Sequence, residues 1–175
     1  MKMVIQFGLY GLIMSNMKKT VYVIILITFF AAMLQGCSNG KFINSEKIAK
    51  ENCEDILKYL EDGDKEGLKN MFCNKISSSE ELDKQIGEAI DFFEGKTSSY
   101  DAKTSSGGTS YRDGEIVRLK VSPSIEDIIT DADKKYEIKF YLYIVCAEDK
   151  DKEGISEISI TSDSGEECII GEYIK

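Results

Sequence analysis

The chain contains no histidine and no tryptophan, and a single proline. Without histidine there can be no His-dependent triad, no histidine general base and no histidine metal ligand. Basic residues are in the minority: 22 Lys and Arg stand against 31 Asp and Glu, a formal charge of −9. Nucleic acid and anionic lipid headgroups both demand a basic surface, so neither is an expected partner. Five cysteines are present, but no CxxC pair that would suggest a metal site or redox catalysis. Against these absences stands one long apolar run near the N-terminus.

Lys18 and Lys19 precede an apolar run from Val21 to Leu34 in which Thr28 is the one polar residue. That length fits the apolar core of an export signal, about 7–15 residues, and is short of the ~20 needed to span a bilayer. The run closes on Leu34-Gln35-Gly36-Cys37, which resembles the lipobox of bacterial lipoproteins. In a lipobox the residue before the cysteine is small, so that the signal peptidase can reach the bond, and the cysteine sulfur receives a diacylglycerol before cleavage. Gln35 departs from the small or β-branched residue usual at its place. The resemblance implies that Cys37 is the lipid-attachment residue and that the cell membrane holds the protein, through that lipid, on its extracytoplasmic face. Two acyl chains anchor stably where one is marginal, at about 0.8 kcal/mol per buried methylene.

The expected organisation is a signal peptide over residues 1–36, a lipidated tether over 37–44 and a single α+β domain over 45–175. Met1 to Asn16 carries a second apolar run, Val4 to Met14, ahead of the lysines. It is explained most simply if translation begins at Met17. Removing residues 1–36 takes away Lys2, Lys18 and Lys19 and no acid, leaving the exported part three units more negative than the whole chain.

Asn44 or Ser45 can cap a helix whose apolar residues Ala49, Cys53, Ile56, Leu57 and Leu60 share one face. Gly63 suits a left-handed helix end, and Asp64 can cap a second, short helix running to about Asn74. Ser78 with Glu81 forms a capping box for a third, with Leu82, Ile86, Ala89, Ile90 and Phe93 as its buried stripe up to Gly95. After Gly95 the period becomes two. A weakly patterned strand is expected near Thr97 to Thr104, and a half-buried one carries Val117, Leu119 and Val121. Ser122 to Asp127, with Pro123, reads either as a capped helical turn or as a bulged strand with Pro123 on an unpaired edge. Tyr136 to Ala147 is the clearest strand: Ile138, Phe140, Leu142, Ile144 and Cys146 lie on one face, Lys139, Tyr141, Tyr143 and Val145 on the other. Short strands around Ile158–Ile160 and Cys168–Ile174 follow.

Helices followed by a strand meander give an α+β order. Five segments resemble a group of small lipoproteins of Gram-positive bacteria that carry a domain of unknown function. They are Asp64-Lys65-Glu66-Gly67-Leu68, Leu82-Asp83-Lys84-Gln85-Ile86, Phe92-Phe93-Glu94-Gly95-Lys96, Asp151-Lys152-Glu153-Gly154-Ile155 and Ile170-Gly171-Glu172-Tyr173. The resemblance implies a nuclear transport factor 2-like, or cystatin-like, cone: three N-terminal helices packed on a curved antiparallel sheet. It implies a location and a fold but no activity.

The candidate chemistry is sparse. Asp149 to Gly154 begins like a calcium loop, but its twelfth position is Ile160 where a bidentate Glu is needed, so it reads as a solvated turn. Cones of this kind host some enzymes that pair an Asp base with a Tyr donor in an apolar pocket. That makes an isomerase or dehydratase the alternative to a binding domain for a protein or small ligand. No catalytic residue, cofactor or metal is assigned. Cys53 and Cys73 lie ten residues either side of Gly63, which would level them in an antiparallel helix pair and allow a disulfide. Tyr141, Tyr143 and Val145, pointing away from the helices, form a candidate interaction face. Ile116 and Ile155 would join it, and Arg118, Lys120, Lys139 and Glu157 would rim it, for a partner or for a homodimer.

Overall fold

The computed structural model describes residues 43–105 and 107–174. The expected signal segment 1–36, the expected start at Met17, Cys37 and all of the expected tether but its last two residues lie outside them. Asn44 opens the domain, its side-chain oxygen accepting from the Lys47 amide at 3.0 Å. It caps α1 (Ser45–Asp62), which ends at Gly63 with a left-handed φ of 65°. A Cβ-free residue adopts that φ without penalty. Asp64 accepts from the Gly67 amide at 2.8 Å and caps α2 (Lys65–Asn70). Two further helices follow, α3 (Asn74–Ser77) and α4 (Glu80–Phe92).

The strands are β1 (Thr97–Ser105), β2 (Thr109–Arg112), β3 (Glu115–Thr130), β4 (Lys135–Cys146), β5 (Gly154–Ser162) and β6 (Glu167–Gly171). They form one antiparallel sheet in the order β1-β3-β4-β5-β6, with β2 also paired to β3. β1 and β2 lie end to end along one edge of β3: Ser105 faces Ser122, and Thr109 faces Leu119. α1 lies against β1 and β3, and α4 against β6. The apolar stripes of α1 and α4 meet Ile125, Ile138, Phe140, Ile158, Ile160 and Ile170 in a single core.

This architecture overturns the expected three-helix cone. Among the described residues four helices, not three, precede a six-stranded sheet. The extra helix escapes the sequence because nothing local announces it. Its N-cap, Cys73, makes no side-chain capping bond. The turn is held instead by the Cys73 carbonyl, which accepts from the Ile76 and Ser77 amides, both at 2.9 Å. α2 stops at Asn70 rather than near Asn74 because Phe72 leaves the helix to bridge Ile155 of β5 in parallel fashion. The Ser78–Glu81 capping box is likewise replaced: Ser79 caps α4, accepting from the Glu81 amide at 3.3 Å.

Ser122 to Asp127 resolves as strand, but not on a free edge. Pro123 is buried inside β3 and faces Thr104 of β1. On its other side the ladder to β4 pairs Val121 with Leu142 and Ser124 with Lys139, and lapses between. The missing proline N–H falls in that gap. A bulge then follows at Glu126–Asp127. Ile125 faces Ile138 but Ile128 faces Tyr136, one residue more on β3 than on β4, and Asp127 takes a φ of 51°. The extra residue returns Ile128 to the buried face.

Candidate functional site

A chemically diverse concavity lies where the β2–β3 hairpin meets the end of β4. Asp113 and Gly114 both have positive φ, 53° and 82°, and close the hairpin tightly. They place Arg112 opposite Glu115 and Ser110 opposite Arg118. Across β3, Arg118 faces Cys146 and Lys120 faces Tyr143. The resulting cleft is about 480 Å³ in volume, walled by Tyr111, Arg112, Arg118, Tyr143 and Cys146 together with Glu148, Asp149 and Lys152 from the β4–β5 connection.

The Tyr141, Tyr143 and Val145 face differs from expectation in three ways. First, the register between β3 and β4 shifts at Leu119–Lys120, inserting an extra residue in β4 between Tyr143 and Val145. Val145 therefore faces Leu119 and leaves the tyrosine face, and Cys146 takes its place opposite Arg118. Second, Ile155 is in the core rather than on this outer face, because β5 shifts register between Tyr141 and Leu142. Third, the tyrosines are covered. Tyr143 is 1% exposed. The Lys120 ammonium lies 4.9 Å, 5.2 Å and 4.1 Å from the rings of Tyr141, Tyr143 and Tyr173, and donates to the Tyr173 hydroxyl at 3.0 Å. Tyr173 meets Tyr141 edge-on at 4.8 Å. The rings thus clasp a lysine and hold the C-terminal segment to the sheet, a cation–π arrangement worth roughly 0.5–2 kcal/mol per contact. What remains open beside them is the cleft.

Within it, Arg118 donates to the Tyr143 hydroxyl at 3.3 Å, its guanidinium 5.8 Å from that ring. Arg112 pairs with Glu148 at 3.1 Å. Asp149 is held by Lys75 at 2.6 Å, which keeps its carboxyl below the usual carboxylate range. Burial pushes the Glu153 carboxyl up, but its bonds from Lys150 at 2.6 Å and from the Cys146 amide at 2.8 Å draw it down on balance. Asp151 accepts from the Asn74 side-chain Nδ2 at 3.2 Å. The acids of the calcium-like turn are thus engaged with lysines and amides. Among the described residues no group of three or more carboxylates and thiols could hold a metal ion.

Cys53 and Cys73 are both buried and both free. Their expected pairing presumed a second helix running past Cys73 alongside α1. That helix ends early, and Cys73 instead turns into α3, its amide donating to the Ile155 carbonyl at 2.9 Å. Burial raises the Cys53 thiol to about 11, with Glu54 adding to it, and burial also pushes up Cys73 and Cys168. Among the described residues the buried polar side chains are Thr130 and Ser156. Among the described residues no carboxylate is buried against a tyrosine, the arrangement that an Asp/Tyr enzyme requires.

From the sequence, Arg118 is expected only at the rim of the tyrosine face, and Tyr111, Arg112 and Glu148 are not singled out. A compositional signal was present: the chain has twenty lysines but only two arginines, and the two are six residues apart. No helix among the described residues is long and apolar enough to cross a membrane. The family described as a domain of unknown function (DUF5104) matches residues 55–163. Comparison with curated proteins yields no match.

Proposed function

The chain belongs to the DUF5104 family, a domain of unknown function, and we propose that it is a lipid-anchored binding protein of the extracytoplasmic membrane face. In this reading Cys37 carries the lipid, residues 37–44 tether the domain, and the domain holds a small ligand rather than transforming one. The observation that carries it is the cleft between the β2–β3 hairpin and the β4–β5 connection. Its volume of about 480 Å³ is in the range of small-molecule sites, it has an aromatic wall, and several polar groups converge on it.

Native mass spectrometry tests the binding role. The full chain, purified from membranes in detergent, is exposed to a small-molecule extract of the same cells and then washed. Binding predicts a retained mass that is released on denaturation and lost when the cleft is blocked, for instance by Ser110→Trp. A chain that retains nothing under these conditions would refute the binding role.

A further inference from the structure

We propose that this cleft is a receptor for a small anionic ligand, whose carboxylate or phosphate is taken by Arg118 and Arg112 while its body lies against Tyr111. The inference rests on the binding role above and specifies its chemistry. Of twenty-two basic residues only Arg112 and Arg118 are arginines, and both line this one cleft. A guanidinium differs from an ammonium in what it recognises. Its planar fork matches the two oxygens of a carboxylate or phosphate, and it is always charged. A chain that uses lysine for every other cation and arginine only here separates anion recognition from surface solvation.

The two arginines are in the state such a site needs. No carboxylate forms an ion pair with Arg118 among the described residues. Its hydrogen bond goes to a phenol, that of Tyr143, which leaves most of its five N–H donors available. The Tyr143 ring is buried and orients the fork from below. Arg112 is paired with Glu148, but both side chains are well exposed, at 64% and 72%. Such a pair contributes little, so an incoming oxyanion can replace Glu148 at small cost. Glu148 thereby becomes a stand-in for the ligand. Asp149, the other acid of the wall, is taken by Lys75. Among the residues that line the cleft, Arg112, Arg118 and Lys152 outnumber Glu148 and Asp149, on a chain that is acidic as a whole. Tyr111, with 67% of its surface open, is the most exposed aromatic residue described and stands beside Arg112 on β2. It offers a flat face to the rest of the ligand.

The test is isothermal titration of the full chain in detergent, with inorganic phosphate and, separately, with citrate, at constant ionic strength held by chloride. Saturable binding of either probe is expected, and the probe that binds tells phosphate from carboxylate as the source. Arg118→Gln and Arg118→Lys should each weaken it about tenfold or more, because a point charge does not replace the fork. Lys84→Gln, on the exposed side of α4, should leave it unchanged. Glu148→Gln releases Arg112 at an exposed position and should tighten binding several-fold, an outcome that misfolding cannot mimic. Saturable heat from neither probe up to about 20 mM, an affinity some hundredfold weaker than is ordinary for small-molecule sites, overturns the inference. So does an Arg118→Lys protein that binds like wild type, or a Glu148→Gln protein that binds more weakly. A neutral molecule retained in the mass-spectrometric experiment, with no response to phosphate or citrate, would sink the anionic ligand and leave the binding role standing.

Discussion

The hydroxyl of Tyr136 offers a clean measure of how the helical layer is fixed to the sheet. It donates to the Phe92 carbonyl at 3.0 Å and accepts from the Glu94 amide at 3.0 Å, so one oxygen closes both chain ends at the C-terminus of α4. The ring is buried, stacked on Phe93 with centroids 4.7 Å apart and set edge-on to Phe92 at 5.9 Å. Tyr136→Phe removes the oxygen and keeps the ring, so apolar packing is unchanged and no sizeable cavity forms. Two half-buried backbone groups lose their partner. At about 1 kcal/mol each, the loss is about 2 kcal/mol. Unfolding entropy of about 2.1 cal/mol/K per residue over the roughly 130 described residues converts this to a fall in Tm of about 7 °C. Urea titration would give the free energy directly, with an unchanged m value if the native and unfolded states keep their compactness. Amide exchange at Glu94 should accelerate while exchange in β4 follows only the global change. A loss below about 0.5 kcal/mol, the scale of an ordinary surface substitution, would show that water takes over both groups and that the hydroxyl is not a clamp.

Three further outcomes are expected. Cys37→Ser should abolish incorporation of labelled fatty acid, since a hydroxyl cannot replace the thiol in the acyl transfer; equal label on wild type and variant would refute the anchor. With its thiol at about 11, Cys53 is ionised in only about one molecule in a thousand at pH 8. Iodoacetamide should therefore label Cys53 and Cys73 in urea without reductant but not in the native protein, whereas resistance in urea would reveal a Cys53–Cys73 disulfide. The Asp149 carboxyl is lowered in the folded state, chiefly by its hydrogen bond from Lys75. Its contribution is present above the unfolded value near 4 and is lost as pH falls through the lower folded value. Lys75→Met should thus bring the neutral and pH 2 melting temperatures closer together; an undiminished difference would refute the linkage.

The parts of the fold that were legible were those whose cause is local. The Asn44, Gly63 and Asp64 cap positions follow from backbone groups that need partners within a turn, and β4 follows from strict alternation between Tyr136 and Leu142. What was illegible depends on partners far away. α3 has no capping side chain and forms because β5 receives Phe72 and Cys73. Pro123 argues against an interior strand until the lapse in β4 pairing beside it is known. The tyrosine face was misplaced at Val145 and Ile155 because bulges leave little compositional trace, and one inserted residue sends the following side chain to the other face. The cleft itself needed the register of three strands, although the pair of arginines was visible all along.

The junction between Phe72 and β5 also sets an order of events. The Cys73 amide donates to the Ile155 carbonyl at 2.9 Å, and the Ile155 amide donates to the Met71 carbonyl at 3.0 Å. Gly154 beside them has a φ of 124°, and a Cβ there would come within 2.8 Å of the Cys73 nitrogen. These bonds join segments separated by most of the domain, and closing so long a loop has an entropic cost before any contact repays it. α1 and α2 can nucleate on their own caps, but α3 has nothing to form on until β5 has been made and added to the sheet. Made N-terminus first, the chain must keep its third helix unformed, and the apolar residues Phe72 and Ile76 uncovered, until nearly all of the sheet has followed. For such a protein the stretch around Ile76 is the surface that a folding helper would have to shield.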